Sequence, residues 1–419
     1  MKVAIYHPWV YLKGGAERTV LELMQRSRHE WTLYTNHYDP EGTFPEFRDL
    51  PVVQLARVSV RRTLVDVGLA SLRAVVQSIP LQGAAALMVS SEGLGNLITL
   101  RPRGVPVFCF CHTPLKVVYD PFTRSRYFSE QPSRRMRAAL ALYTAIDRLG
   151  WHAYERVFCN SREVAGRVLG AGLAPSHKVE VIHPGVDLRR FDPHGPREPF
   201  FLLAGRIART KTIELGVDAF IRLKEAHPAA APFRLVVAGM VDHKSQPYLE
   251  AMLERAQGRR DIEFVIGPSD EQLLDLYRRC YATLFAALNE DWGLVVLEAM
   301  ASGKPVIAVD RGGPRESVLH GETGLLCPAE AEAFAAAMGR LVADPARAAA
   351  MGLAARQRAA AFPWHAFAER IDDYVDFLVG CTTRPLTFPL PWRLGHDRPR
   401  AAGQGLPLAP GAVVQRAGR

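Results

Sequence analysis

Cysteine is scarce in this chain and poorly spaced for metal or disulfide chemistry. The 419 residues hold six, at positions 109, 111, 159, 280, 327 and 381, with no CxxC pair and no nearby histidine grid. That spacing excludes the common zinc frameworks and predicts reduced, mostly buried thiols, as in a cytosolic protein. Apolar runs of the roughly 18 residues needed to span a membrane are missing as well. The start, MKVAIYHPWV, lacks the apolar region of a signal peptide and reads as a first strand entering a loop. Neither a Walker A lysine pattern nor GxGxxG spacing occurs. No zinc finger or aromatic stacking module accompanies the basic charge, so nucleic acid is not an expected partner.

What is present is an ordinary globular composition, 48% hydrophobic and 23% charged, with a net charge of +9. The length supports two substantial cores. The charge is uneven: ten Lys/Arg stand against four Asp/Glu between Arg101 and Arg156, and six arginines against one aspartate after position 380. Positive charge of this kind suits anionic lipid or a phosphorylated small substrate. The 381–419 tail is basic and proline-rich and reads as peripheral or disordered.

The first half gives strand-like VAIYHP, WTLYTN, AALMVSS and VPVFCFCH, separated by helical patterns such as GGAERTVLELMQRSR. Strands alternating with helices predict a parallel sheet covered on both faces. Two longer amphipathic stretches, VRRTLVDVGLASLRAVVQSI and RRMRAALALYTAIDRLGWHAYERV, are expected to lay their apolar stripes on that sheet rather than on a membrane. DPHGPREP at 192–199 breaks both periods and is the linker. The pattern then restarts with FFLLAGRI, FRLVVAGM, IEFVIG, YATLFAAL and KPVIAV. The α/β fold expected is therefore two doubly wound, Rossmann-like domains, 1–191 and 200–362, facing across a cleft. A final helix over 363–380 is expected to return toward the first domain. Ligands in such sheets bind beyond the carboxyl ends of the strands.

Four loops at those addresses could carry chemistry. Gly14 and Gly15 precede a helix, where bare backbone donors can meet a phosphate, although GG is also plain turn geometry. Arg206 and Lys211 follow the strand FFLLA and suit a diphosphate, the arginine as a fork and the lysine as a point charge; solvated surface charge is the plainer reading. His112 ends a strand in CHTP, where a satisfied buried histidine is the alternative. Asp120 and Asp187 are expected to act mainly as turn formers or caps. In NEDWGLVVLEAM, Gly293 starts a helix that carries Glu298, while Glu290 stays on the entering loop. Backbone N–H groups around 292–295 are then free for phosphate or sugar oxygens, with an ordinary cap and a solvated carboxylate as the alternative. Gly303 is placed as a C-cap.

In order along the chain, GGAE, HTP, GR....K, E-x7-E followed by AMASGKPVIA, GG..E and GETG resemble the family 4 retaining glycosyltransferases, from about Lys2 to Leu326 with a compatible helix to Leu378. The resemblance implies the GT-B fold, a nucleoside diphosphate sugar as donor between the domains, and no required metal or other cofactor. It implies that Arg206 and Lys211 meet the donor diphosphate. Glu290 would address the sugar hydroxyls, with Gly293, Leu294 and Val295 supplying backbone contacts and Glu298 holding the ribose. Gly15 would let backbone approach phosphate or acceptor, and His112 would lie near the transferred sugar. Where relatives often carry a further basic residue beside the lysine, this chain reads ARTKTIEL, which leaves the role of Arg209 open.

The reaction implied is retaining transfer of a hexose to a hydroxyl of a saccharide or lipid-linked saccharide, with front-side substitution at the sugar. EDWG and HTPLKVVYD resemble the bacterial surface-polysaccharide mannosyltransferases, so the donor expected is GDP-mannose, with a UDP-hexose as the alternative. A sugar-nucleotide epimerase and a noncatalytic carbohydrate- or phosphate-binding protein are the readings from other classes. The location expected is cytoplasmic, with peripheral contact to anionic membrane through the basic first-domain helices.

Overall fold

The computed structural model describes residues 1–59, 64–101, 104–127 and 132–380. The predicted tail at 381–419, with Cys381, lies outside the described residues. The first domain is built on seven strands: β1 (Lys2–Tyr6), β2 (Glu30–Thr35), β3 (Val52–Gln54), β4 (Leu87–Ser91), β5 (Val107–Cys111), β6 (Val157–Cys159) and β7 (Val179–Val181). They pair in parallel in the order β3-β2-β1-β4-β5-β6-β7. The second domain carries β8 (Phe200–Ala204), β9 (Arg234–Gly239), β10 (Ile262–Ile266), β11 (Ala282–Phe285), β12 (Val306–Val309) and β13 (Gly324–Cys327) in the parallel order β10-β9-β8-β11-β12-β13. These are the two facing Rossmann-like domains that the sequence predicts.

The central strands read as continuous apolar runs because helices cover both of their faces. VFCFC of β5 and FFLLA of β8 are buried at every residue. Each sheet reverses its strand order once, between β1 and β4 and between β8 and β11. At such a reversal the flanking loops part and leave a crevice beyond the strand ends. The loops after β1, β4, β8 and β11 therefore open onto the cleft, together with loops from neighbouring strands such as the one after β5. Five described cysteines are buried free thiols. Cys111 and Cys159 face each other in the register of β5 and β6, where burial holds both thiols well above their ordinary range.

Seven helices shape the cleft and its surroundings: α1 (Gly15–Arg26), α2 (Leu64–Val76), α3 (Arg134–Trp151), α4 (Arg162–Gly170), α5 (Ile213–Ala226), α6 (Leu294–Ala301) and α7 (Trp364–Leu378). α4 starts as its sequence predicts, with the Ser161 hydroxyl accepting from Val164 N–H at 3.1 Å. α7 packs into the first domain's core rather than the second's. Trp364, Phe367, Ile371 and Val375 are buried with Val3, Ile5, Val20 and Leu23, and Phe367 meets Phe110 edge to face at 5.2 Å. Each such large apolar side chain contributes about 1.5–3 kcal/mol by leaving water.

The two amphipathic helices depart from expectation. α2 and α3 both pack against the 3-10 segment Leu94–Leu100, yet Leu69, Leu72, Leu142 and Leu149 remain at least 60% exposed. α3 is anchored by a polar knot near its C-terminus instead of by a full apolar stripe. There the buried Asp147 carboxylate accepts from Tyr119 O–H at 2.8 Å and Trp151 Nε1–H at 3.0 Å. The outward face is left apolar and flanked by exposed arginines at 134, 135, 137 and 148.

Candidate active site

A cleft of about 370 Å³ opens between the carboxyl ends of the two sheets, and all nine sequence-predicted site residues line it: Gly15, His112, Arg206, Lys211, Glu290, Gly293, Leu294, Val295 and Glu298. Two helix starts face each other across it. α1 begins at Gly15 with Gly14 as a cap lacking any side-chain hydrogen bond, and α6 begins after Gly293 in the same way. A Cβ on Gly15 would lie 3.6 Å from Leu294 Cδ1, so the two starts are nearly in contact.

Gly293 has φ +93, ψ 70, a conformation that glycine adopts without the clash an L side chain would meet. The turn it makes presents the N–H groups of Trp292, Gly293, Leu294 and Val295, none of which donates to a partner among the described residues. Unpaired donors at a helix start form a site for anionic oxygen.

Beside them Lys211 Nζ donates to Glu290 Oε2 at 2.6 Å. Burial pushes the Glu290 carboxyl upward. The charge and hydrogen bond of Lys211, with Lys116 and Arg206 behind, outweigh that and hold it below the ordinary carboxylate range. Glu290 is thus an anion and a hydrogen-bond acceptor near neutral pH. Arg206 stands exposed on the same rim with no hydrogen bond among the described residues, free to meet an incoming anion.

Glu298 lies one turn into α6, and its Oε2 accepts from Tyr277 O–H at 3.0 Å. Burial raises its pKa against the opposing pull of Tyr277, Arg18 and Arg190. Glu290 and Glu298 therefore have separate partners, as the predicted helix start implies. Gly303, at φ +67, ends this segment in the predicted C-cap conformation.

On the opposite wall His112 follows β5. Its Nε2 is 2.9 Å from Ser90 Oγ, which is in turn 3.1 Å from His7 Nδ1. Burial pulls the His112 pKa down to about 4, so the ring is neutral in working conditions. A neutral imidazole can exchange a hydrogen bond with a sugar hydroxyl but brings no fixed positive charge.

Asp120 and Asp187 behave as the local formers expected of them. Asp120 accepts from Thr123 N–H at 2.9 Å and Asp187 from Arg189 N–H at 3.0 Å. Asp120 also takes Asn289 Nδ2–H at 2.6 Å across the cleft, which its sequence does not announce.

Other residues at this site escape sequence reasoning. Thr212, next to Lys211, sits at φ 50, ψ 49, an uncommon conformation for a β-branched residue. It turns the chain sharply between the Arg209–Lys211 segment and α5. Lys116 and Arg167, both from the first domain, reach the loop that carries Glu290. The one signal for Lys116 was the position of KVVYDPF just past a strand end, and Arg167 had none. Among the described residues no group of three His, Cys, Asp or Glu side chains is placed to hold a metal ion.

Two family models match in tandem, Glycosyltransferase Family 4 over residues 13–190 and Glycosyl transferases group 1 over 187–358. The mouse (Mus musculus) alpha-1,3/1,6-mannosyltransferase ALG2 is 28% identical over 402 residues, covering 90% of this chain and 96% of that protein. A D-inositol 3-phosphate glycosyltransferase of Kribbella flavida is 35% identical over 234 residues, covering 52% of this chain and 55% of its own. Among solved structures, Anabaena HepE bound to UDP superposes with a TM-score of 0.70 at 16% identity, over 90% of this chain and 100% of that one. HepE has also been crystallised with UDP and glucose and with UDP-glucose. The expectation of GDP-mannose as donor is corrected by these complexes, in which the nucleotide is UDP. Phosphate-reading loops are common to both donors, so the sequence motifs could not have separated them. This chain is a family 4 glycosyltransferase with the GT-B fold, an enzyme acting on a nucleotide-sugar donor.

Proposed function

We propose that the protein is a retaining transferase that moves a hexose from a UDP-hexose to a hydroxyl of a saccharide or lipid-linked saccharide. The observation that carries this reading is the meeting of unpaired N–H groups at the start of α6 with the Lys211–Glu290 pair in one cleft. The diphosphate takes the N–H groups, Arg206 and Lys211. As the bond from the anomeric carbon to the phosphate oxygen breaks, its electron pair passes to that oxygen, and these donors stabilise the growing charge. The acceptor oxygen bonds to the same face of the anomeric carbon, and its proton passes to the departing phosphate. Glu290, held anionic by Lys211, accepts from sugar hydroxyls. It is a positioner here and not a nucleophile. Glu298, with Tyr277, takes the ribose, Gly15 keeps the first domain's backbone close to the reacting groups, and neutral His112 meets the sugar from that side.

Two observations support uridine over guanosine. The HepE complexes hold UDP. Asp270, the carboxylate lining the cleft beyond Tyr277, is already paired with Lys13 at 3.3 Å and Arg190 at 2.8 Å. A carboxylate so engaged is poorly placed to accept the paired N–H groups of guanine.

The exposed leucines and arginines of α2 and α3 support a peripheral position at an anionic membrane face on the cytoplasmic side, where a lipid-linked acceptor is presented. No described helix is long and apolar enough to cross a membrane.

The test is a donor panel of UDP-glucose, other UDP-hexoses and GDP-mannose, with a lipid-linked glycan mixture as acceptor and mass detection of nucleotide and product. UDP release coupled to a glycosylated product is expected. GDP release with no UDP release rejects the donor, and isomerised donor without transfer rejects the reaction. Flotation with vesicles containing phosphatidylserine, against neutral vesicles, tests the location; equal partition rejects it.

A further inference from the structure

The tripeptide Asn289-Glu290-Asp291 is held in an alternating way. Its centre, Glu290, is bonded within its own domain to Lys211. Both flanking side chains reach across the cleft. Asn289 Nδ2 donates to Asp120 Oδ2 at 2.6 Å and to Thr123 Oγ1 at 2.9 Å, while its Oδ1 accepts from Arg167 Nη2 at 2.6 Å. Lys116 Nζ donates to the Asn289 carbonyl at 2.9 Å and pairs with Asp291 at 2.8 Å. Arg167 Nη1 pairs with the other oxygen of Asp291. Every partner of the two flanking side chains among the described contacts belongs to the first domain.

The grip is built for precision. The Arg167 side chain is only 8% exposed and is held from behind by Glu163 at 3.0 Å, one turn earlier on α4. Its planar fork meets one amide oxygen and one carboxylate in fixed directions. A loop shaped by another domain takes that shape only when the domains meet. By contrast, Glu298 and its partner Tyr277 both belong to the second domain.

We propose that Lys116 and Arg167 are positioning residues for Glu290: by gripping Asn289 and Asp291 across the cleft they make domain closure set the loop that holds the donor's sugar, while the nucleotide is held in either state. The inference rests on the sugar-holding role proposed for Glu290. It means that the open enzyme binds UDP and UDP-hexose almost equally, and that discrimination for the sugar appears on closing. A sugar held only in the closed cleft is also kept from water until an acceptor can be enclosed with it.

The experiment compares Arg167→Met, Arg167→Lys and Asp291→Asn with the wild type. Calorimetry measures the affinities for UDP and UDP-glucose, and steady-state kinetics measure transfer. Small-angle scattering with UDP bound reports closure. Arg167→Met and Asp291→Asn are expected to keep UDP affinity within about twofold while kcat falls about tenfold to a hundredfold, the scale of a small misplacement of reacting groups. Both are expected to scatter as more open molecules, with Arg167→Lys recovering part of each effect. Asp291→Asn is nearly isosteric and guards against a folding failure in Arg167→Met. Parallel loss of UDP and UDP-glucose affinity overturns the proposal, as does unchanged kcat. A wild type inert toward every UDP-hexose, with variants that still open, rejects the assigned donor and keeps the grip. Unchanged scattering with an unchanged ratio of UDP-glucose to UDP affinity overturns the grip whatever the donor.

Discussion

The two glycine-led helix starts that face each other across the cleft look alike in sequence and differ in charge. At the start of α6 the N–H groups have no protein partner among the described residues, and the nearest carboxylate, Glu290, is neutralised by Lys211. At the start of α1 the chain has supplied an acid of its own. Glu17 is buried and folded back against Gly14, where its carboxyl oxygen leaves no room for a Cβ. Burial and then the nearby Glu92 push its pKa up to about 8, against the pull of backbone N–H groups and Arg206. One start is open to an anion, and the other carries an acid that holds its proton at neutral pH. Two GG or G-led turns before a helix are therefore not equivalent phosphate sites. What distinguishes them is the residue three positions into the helix.

The sharpest way to break this contrast is to unbalance the open side. Lys211→Ala removes a cation from the developing phosphate charge and leaves Glu290 without its closest partner. Donor turnover is expected to fall by about 10²- to 10³-fold, the scale of losing one oxyanion donor, with the circular dichroism spectrum retained. Gly293→Ala forces an L side chain to φ +93 and should cost on the order of 1–3 kcal/mol, seen as a lowered Tm. Displacing the N–H groups should also cut kcat/KM by about tenfold or more.

Glu17→Gln tests the closed side through pH. In the unfolded chain this carboxyl ionises near its ordinary 4.5, whereas in the fold it keeps its proton to about 8. Between those values the folded state binds more protons, so wild-type stability falls as pH rises, by on the order of a few kcal/mol. The glutamine variant should lose this dependence, and urea midpoints at pH 5 and pH 8 that track the wild type would refute the buried acid. Gly15→Ala is the mildest change. The position is helical, and an added Cβ would meet only Leu294 at 3.6 Å. Expected shifts are within about 0.5 kcal/mol in stability and a few-fold in activity, far below those of Gly293→Ala. Equal effects at the two glycines would erase the contrast.

Much of the fold and the cleft was legible along the chain because the signals are local. Apolar runs such as FFLLA and VFCFC read directly as buried parallel strands, and Gly293 before LVVLEAM reads as a helix start. The spacing that separates Glu290 from Glu298 needs nothing beyond helical geometry. What stayed hidden involves partners distant in sequence. Nothing near Asn289 or Asp291 points to Lys116 or Arg167, more than a hundred residues away, because charge pairing leaves no period. The outward apolar face of α3 was misassigned to the sheet since a stripe records amphipathicity without naming what covers it. Asp147, a charged residue inside a helix, anchors that helix instead. The identity of the donor's base was hidden for a different reason: the motifs read phosphate and sugar, which UDP- and GDP-sugars share.

The last helix, α7, has a consequence for how the protein is made. Trp364, Phe367, Ile371 and Val375 complete a core whose other members, such as Val3 and Leu23, leave the ribosome more than three hundred residues earlier. The first domain therefore cannot finish folding when its own sheet emerges. It must wait, with apolar surface uncovered, while the second domain is synthesised and packs around β8–β13. The usual order in which an N-terminal domain is completed first is reversed here, and α7 is the segment through which the second domain's synthesis closes the first.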